Sequence, residues 1–163
     1  MMQVWPAFQC LLLVVAANAA PVLVARLMGK TLIHPVDAGL VLPDGRRLLG
    51  PTKTLRGVAG ALAATSLLGP AMGVPWPAGL AIGAAAMAGD LLSSFAKRRL
   101  GWPPSSRAAG LDQVPEALFP ALAGTWLLEL GLVDAIVVTA AFVAIDVSLS
   151  RVLCRLGLRR QPH

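Results

Sequence analysis

The feature that most constrains this chain is a series of five apolar stretches, each close to the length that crosses a lipid bilayer. A membrane-spanning helix needs about 20 mostly apolar residues. The stretches cover residues 4–25, 57–74, 77–96, 117–132 and 133–150. The last two are short and nearly adjacent, which predicts a tight helical hairpin. The sequence therefore predicts an all-α, polytopic membrane protein with five transmembrane helices, in which residues 1–163 form a single membrane-embedded domain.

Composition supports a membrane location and excludes several other classes. Hydrophobic residues make up 56% of the chain and charged residues only 13%, whereas soluble domains carry about 25% charged residues. A pI near 10.7 would suit nucleic acid if the basic residues formed a face on a soluble domain. They lie between apolar stretches instead, so we expect no nucleic acid partner. An anionic leaflet or a phosphate-bearing ligand is the expected partner.

The basic residues also predict the orientation of the helices. All 14 Lys and Arg lie within residues 26–56, 97–107 and 151–160, and the connections 69–77 and 129–134 contain none. Because Lys and Arg are enriched in cytoplasmic loops, the N-terminus is predicted outside, with both long loops and the C-terminus in the cytoplasm. This describes a multi-pass protein of the cell (inner) membrane. Glu129 and Asp134 then lie on the outer side, where we expect them to be solvated.

An alanine-rich segment near the N-terminus needs separate interpretation. Residues 16–20 resemble a signal-peptidase site, but no basic residue precedes the apolar run, as it would in a cleaved signal. We therefore interpret the segment as the first membrane helix. In the third stretch, Gly79 and Gly83 have the spacing that lets helices pack closely in lipid.

The first long loop ends in a basic run where the second helix begins. Lys53 and Thr54 stand directly before this helix, and Arg56 lies in its first turn. Backbone N–H groups at a helix start favour anions, and these side chains would add to that preference. The run predicts a site for a polyphosphate. The alternative is a basic loop that lies on anionic lipid.

The third apolar stretch carries an acid at membrane depth. Asp90, Ser94 and Lys97 or Arg98 recur at helical spacing, so they share one face. Asp90 lies about two turns inside the cytoplasmic boundary. A carboxylate at that depth costs several kcal/mol unless it is paired or hydrated, and such residues usually mark function. The alternative is that Asp90 merely pairs with its own neighbours Lys97 or Arg98.

Further acids surround the start of the fourth helix. Asp112 either caps this helix or joins Asp90 in holding a Mg²⁺ that binds a polyphosphate. Glu116 either faces the same side or complements the helix dipole. Asp146, near the end of the fifth helix, either lines the same cavity or pairs with a basic residue of the tail.

Five blocks, in order, resemble the CDP-archaeol synthase family within the wider phosphatidate cytidylyltransferase-like enzymes. They are Asn-Ala-Ala-Pro at 18–21, Pro-Val-Asp-Ala-Gly at 35–39, the Asp-Gly-Arg-Arg and Lys-Thr-x-Arg-Gly segments within 44–57, Gly-Asp with Ser-Phe and Lys-Arg-Arg within 89–99, and Leu-Asp-Gln at 111–113. The chain departs from the family after 113, where Val-Pro-Glu replaces an acid and an aromatic residue. In the tail, 148–163, we identify no block that matches the family. These departures leave open a bacterial relative whose lipid is not the archaeal diether.

The resemblance implies a five-helix, Mg²⁺-dependent enzyme. Such an enzyme transfers CMP from CTP to a membrane lipid phosphate, either an archaeal-type dialkylglycerol phosphate or phosphatidate, and releases pyrophosphate. By position, Asp90 and Asp112 match the catalytic, metal-binding acids. The implied substrate-binding residues are the phosphate contacts Lys53, Arg56, Lys97 and Arg98, together with Thr54, Ser94, Asp37, Asp44 and Arg46.

Other functions remain to be compared. A non-catalytic membrane scaffold or subunit would show no CTP-dependent activity and would tolerate Asp90→Ala. A transporter would need a polar path across the whole bilayer, whereas these acids cluster at one side. A CDP-alcohol phosphotransferase would need further spaced aspartates after its Asp-Gly motif, and the sequence after Asp44 lacks them.

Overall fold

Five α-helices build the structure, a computed structural model that describes residues 3–103, 106 and 110–155, with side chains as far as 148. In chain order they are α1 (Val4–Met28), α2 (Leu55–Ala71), α3 (Trp76–Arg99), α4 (Gln113–Leu127) and α5 (Leu132–Arg155). The described residues contain two isolated β-bridges and no longer strand pairing. The predicted all-α class, the five helices and the hairpin between α4 and α5 are confirmed.

The helix ends differ from the predicted ones at both ends of the bundle. At the end with the short connections, α4 stops at Leu127 and not at the predicted residue 132. Further differences lie at the end with the long loops. There α3 continues to Arg99 and α4 begins at Gln113, each several residues beyond its apolar stretch. Apolarity marks the part of a helix that can meet lipid, whereas backbone hydrogen bonding continues through charged residues beyond it. At the start of α2, Thr54 caps the helix by accepting a hydrogen bond from the Gly57 amide at 3.3 Å.

Small residues let the helices approach closely. Gly79 and Gly83 of α3 pack against Thr65 of α2, and a Cβ at Gly83 would lie only 2.2 Å from the Thr65 hydroxyl oxygen. The predicted packing role of this glycine pair is confirmed. A further cluster of three buried alanines and Met87 joins α1, α2 and α3. Such contacts replace the hydrophobic driving force that is missing between helices in lipid.

The outward surface is apolar. Leu67, Trp126 and Ile136 are 78%, 89% and 65% exposed, and soluble monomers rarely expose large contiguous apolar patches. Within the described residues, α1 and α3 are each long and apolar enough to cross a membrane, with mean hydropathies of 2.1 and 1.4. This surface fits contact with lipid.

The end of the bundle that lacks basic residues contains one buried acid. Asp134 is only 2% exposed and accepts hydrogen bonds from the amides of Gly131 at 3.1 Å and Gln3 at 3.3 Å. The expectation that Asp134 is solvated is therefore wrong, because its carboxylate accepts from amides at the starts of two helices, α1 and α5. Glu129 is exposed, as expected.

Candidate functional site

A polar cavity of about 700 Å³ lies where the two long loops meet the helices. Every helix contributes to its wall. The predicted site residues that line it are Lys53, Thr54, Arg56, Asp90, Ser94, Lys97, Arg98 and Asp112. The predicted common face of Asp90, Ser94 and the basic end of α3 is confirmed.

Two lysine–aspartate ion pairs face this cavity, and each joins two different segments of the chain. Lys53 Nζ lies 2.5 Å from Asp90 Oδ1, and Lys97 Nζ lies 2.6 Å from Asp112 Oδ1. The partner of Asp90 thus comes from the first loop and not from its own neighbours Lys97 and Arg98. Asp112 occupies the N-cap position of α4 without a side-chain cap hydrogen bond. Both aspartates are held by a flexible cationic side chain.

Two basic side chains at the C-terminal end of α3 are buried beside the second loop. Lys97 is 8% exposed and Arg98 is 6% exposed. The Lys97 ammonium also donates to the Ser106 carbonyl at 3.0 Å, and Arg98 donates to the Pro103 carbonyl at 2.8 Å. A buried cation is costly unless it has partners, and these carbonyl groups, together with Asp112, provide them.

Glu116, whose role the sequence left open, faces the cavity. Its carboxyl group is in hydrogen-bonding contact with Asp90 and lies near Lys53 and Asp112. It takes part in none of the four ion pairs among the described residues. Of the two alternatives for Glu116, the structure therefore favours the shared face.

Comparison with known proteins shows which family this chain belongs to. The chain is 38% identical to the CDP-archaeol synthase of Aeropyrum pernix over 160 residues, which cover 90% of this chain and 84% of the relative. The chain belongs to the CDP-archaeol synthase family. The corresponding protein of Pyrobaculum calidifontis is 32% identical over 164 residues, covering 98% and 93% of the two chains. No model of a known protein family matches the chain.

A solved structure supports the same assignment. The structure, of an intramembrane enzyme for archaeal membrane lipid biosynthesis, aligns with a TM-score of 0.76 at 33% identity and covers 88% of this chain and 91% of its own. The predicted resemblance is confirmed. The chain is thus a membrane protein and an enzyme, and the alternative of a non-catalytic scaffold is not supported.

Three predicted site residues lie outside the cavity, in the first loop of this CDP-archaeol synthase family member. Asp44 pairs with Arg99 at 2.5 Å, and Arg46 donates to the Arg99 carbonyl at 2.6 Å. Asp37 lies at the centre of the loop. The structure does not bring these residues to the cavity, and their substrate-binding role stays a prediction. Asp44 and Arg46 fasten the loop to the end of α3, whereas Asp37 is bonded within the loop itself.

Asp37 is the anchor of that loop. Its carboxylate accepts hydrogen bonds from the amides of Gly39, Leu49 and Gly50 at 3.0–3.1 Å and from Arg47 at 2.7 Å. Burial alone would raise the pKa of Asp37, but the Gly50 amide, the Arg47 guanidinium and the other two amides outweigh it. They hold this pKa far below its ordinary value, which favours the ionised carboxylate.

Arg56 and Thr54 combine cavity-lining positions with local structural bonds. Arg56 donates to the carbonyl groups of Gly29 at 3.0 Å and of Thr31, which ties the start of α2 to the turn after α1. The Thr54 hydroxyl caps α2. Their predicted phosphate contacts stay predictions.

Sequence reasoning did not resolve one polar pair of the cavity wall. Gln113 is buried and donates to Asp146 at 3.1 Å, and both residues line the cavity. The basic residues of the tail, the other possible partners of Asp146, lie outside the described side chains. Asn18 also lines the cavity and donates to the Val14 carbonyl of its own helix at 3.0 Å. The sequence signal for this pair was Asp146, an acid near the end of the fifth helix.

The donor set of the cavity fits a Mg²⁺ ion that is bound together with a polyphosphate. Among the described residues, no three His, Cys, Asp or Glu side chains are close enough to form a ready-made metal site. Mg²⁺ does not need one, because it commonly takes one or two carboxylates and completes its shell with water and substrate phosphates. Asp90 and Asp112 supply hard oxygen donors of that kind.

Proposed function

We propose that this chain transfers CMP from CTP to a membrane lipid phosphate, giving a CDP-activated lipid and pyrophosphate. The observation that carries the proposal is the polar cavity in which two lysine–aspartate pairs and Arg98 face each other inside a helical bundle with an apolar exterior. Membership of the CDP-archaeol synthase family supports the reaction type. The lipid is a dialkylglycerol phosphate of the archaeal type or phosphatidate.

The chemistry needs little covalent help from the protein. An oxygen of the lipid phosphate forms a bond to the α-phosphorus of CTP, and the bond from that phosphorus to the bridging oxygen of the β-phosphate breaks. The β- and γ-phosphates leave as pyrophosphate, which takes the electron pair. The nucleophile is already an anion, so no general base is required. The obstacle is the repulsion between two polyanions, and the protein must screen it and align them.

The ion pairs of the cavity suit an exchange of partners. When a triphosphate enters, Lys53 and Lys97 move from Asp90 and Asp112 to phosphate oxygens, and the buried Arg98 adds a third positive charge. Asp90 and Asp112 would then be the residues that hold Mg²⁺, and the ion would supply positive charge near the departing pyrophosphate. Each carboxylate and each ammonium thus keeps an opposite charge before and after binding, which limits the cost of unpaired charges in a partly buried site.

We also propose a multi-pass orientation in which all five helices cross the membrane. The N-terminus lies outside, and both long loops and the C-terminus lie in the cytoplasm, in accord with the distribution of basic residues. The active site then opens on the cytoplasmic side of the cell membrane, where CTP is available. The cavity wall includes apolar side chains such as Val22 and Leu91, which suits lateral entry of a lipid at headgroup level.

The direct test is a transfer assay with the purified full chain, Mg²⁺ and CTP labelled at the α-phosphate. Diether and diester lipid phosphates are offered separately, and labelled CDP-lipid is measured. We expect conversion by the wild type and a loss of at least about 100-fold in Asp90→Asn, because that change removes a carboxylate from the metal site. Glu129→Gln, which removes an exposed acid on the opposite side, serves as the matched control. If no lipid phosphate of either class is converted, the proposal is wrong.

A further inference from the structure

Glu116 occupies a place that the packing of two helices fixes tightly. At Gly89, directly before Asp90, an added Cβ would lie 2.1 Å from the Pro115 carbonyl oxygen and 2.8 Å from the Glu116 amide nitrogen. The backbones of α3 and α4 therefore touch at this point. Asp90 and Glu116 each lie next to this backbone contact and face the same cavity. Their carboxyl groups are in hydrogen-bonding contact.

Of the three acids that the structure describes at this part of the cavity, Asp90 and Asp112 each pair with a lysine and Glu116 does not. Asp90 has the ammonium of Lys53 at 2.5 Å, and Asp112 has that of Lys97 at 2.6 Å. Glu116 has no such partner among the described residues and is instead in contact with another carboxyl group. Two carboxyl groups in contact repel each other when both are ionised, unless a proton or a nearby cation offsets the repulsion. A divalent cation satisfies both of them, and it also permits Lys53 to leave for a phosphate.

We infer that Glu116 is a further ligand of the Mg²⁺ ion, beside Asp90. This inference rests on the proposed function. The sequence assigned the metal to Asp90 and Asp112, but the carboxyl group that touches Asp90 in the folded chain belongs to Glu116. Hard carboxylate oxygens are the donors that Mg²⁺ prefers. The competing interpretation is a purely structural pair held by a shared proton, with no affinity for a metal.

Substitution by glutamine separates the two interpretations, because its side chain imitates a protonated glutamate and can keep the hydrogen bond to Asp90. The measurement is the dissociation constant of Mn²⁺, from the EPR signal of the free ion, with the solubilised full chain alone and with CTP. We expect Glu116→Gln to raise this constant at least about tenfold. Glu129→Gln, the same substitution at an exposed site, should leave it unchanged. Thermal unfolding of each variant checks that the chain remains folded.

Wild-type Mn²⁺ affinity in Glu116→Gln, in a preparation whose wild-type chain makes CDP-lipid, overturns the inference and leaves the proposed function intact. If Glu116→Gln does not fold, Glu116→Asp replaces it. That variant keeps the charge but withdraws it by one methylene, so a several-fold rise in the Mn²⁺ constant is expected, and an unchanged constant overturns the inference. A wild-type chain that converts no lipid phosphate overturns the proposed function, and this inference with it.

Discussion

The first loop and the cavity both enclose carboxylates, but different donors surround them. In the loop, Asp37 is held by three backbone amides and one guanidinium. In the cavity, Asp90 and Asp112 are held by lysine ammonium groups. A backbone amide cannot leave its acceptor unless the loop rearranges, whereas a lysine on its four-carbon stem can swing to another anion. The comparison separates a carboxylate that fixes structure from carboxylates that can exchange partners.

The two regions are also connected. Segment 34–36 of the loop pairs with the strand-like segment that carries Lys53: the Val36 amide donates to the Lys53 carbonyl at 2.8 Å, and the Leu55 amide donates to the His34 carbonyl at 2.9 Å. Asp37 follows this segment directly. The fixed carboxylate thus determines where the exchangeable lysine starts, and the predictions below test that division.

The largest effect is expected from Asp37→Asn. The amide removes the negative charge opposite Arg47 and places an N–H₂ group against backbone donors. Removing one partner from a buried charge pair costs about 3 kcal/mol, which corresponds to a fall in Tm of roughly 10 °C for a chain of this size. Thermal unfolding measures it. Asp44→Asn, the same substitution in an exposed part of the same loop, is the control. A Tm equal to that of the control would show that Asp37 is not the anchor.

The pH dependence of stability tests the same role of Asp37 as the anchor of the loop. The folded-state pKa of Asp37 lies below its unfolded value of about 3.9, so its stabilising effect is complete above that value and is lost as pH falls towards the folded-state pKa. The difference in Tm between wild type and Asp37→Asn should therefore be largest above about pH 5 and should shrink below about pH 4. A difference that stays constant over this range would contradict the assignment.

An intermediate effect is expected from Lys53→Met. Charge-assisted hydrogen bonds contribute about 1.5–3 kcal/mol, so the loss of the ammonium should weaken CTP binding at least about tenfold. Mn²⁺ binding without nucleotide should become tighter, because Asp90 no longer has to give up an ion pair. Both constants can be measured by calorimetry.

Lys30→Met is the matched control, since Lys30 is exposed and is not among the cavity-lining residues. If Lys53→Met weakens CTP and Mn²⁺ binding alike, Lys53 is a fixed structural partner, and the contrast between the two regions does not hold.

The smallest effect is expected from Asp44→Asn. The Arg46 amide and the Arg99 guanidinium, together with the charges of these arginines, outweigh desolvation and lower the pKa of Asp44, but its ion pair with Arg99 is open to solvent. We expect Tm to stay close to that of the wild type and the KM for CTP to change less than about twofold. Steady-state transfer kinetics measure it. A clear rise in KM would instead support the substrate-binding role that the family resemblance implies.

Sequence reasoning found most of the cavity because its residues obey local rules. The helical spacing of Asp90, Ser94 and Lys97 places them on one face whatever the neighbours are. Sequence reasoning did not separate Asp37, Asp44 and Arg46 from the cavity residues. A match to a family position does not say whether a side chain binds a ligand or stabilises a loop. Nor did sequence reasoning predict the buried state of Asp134, which depends on amides of Gly131 and Gln3.

The sequence by itself determined the five helices, the apolar exterior, the basic long loops and the family. These properties follow from the length and composition of short segments, which are read along the chain. Only the tertiary structure decided that Lys53 pairs with Asp90, that Lys97 pairs with Asp112 and that Glu116 meets Asp90. Such contacts depend on how helices rotate and how closely their backbones approach, and a rotation of a fraction of a turn exchanges one ion-pair partner for another.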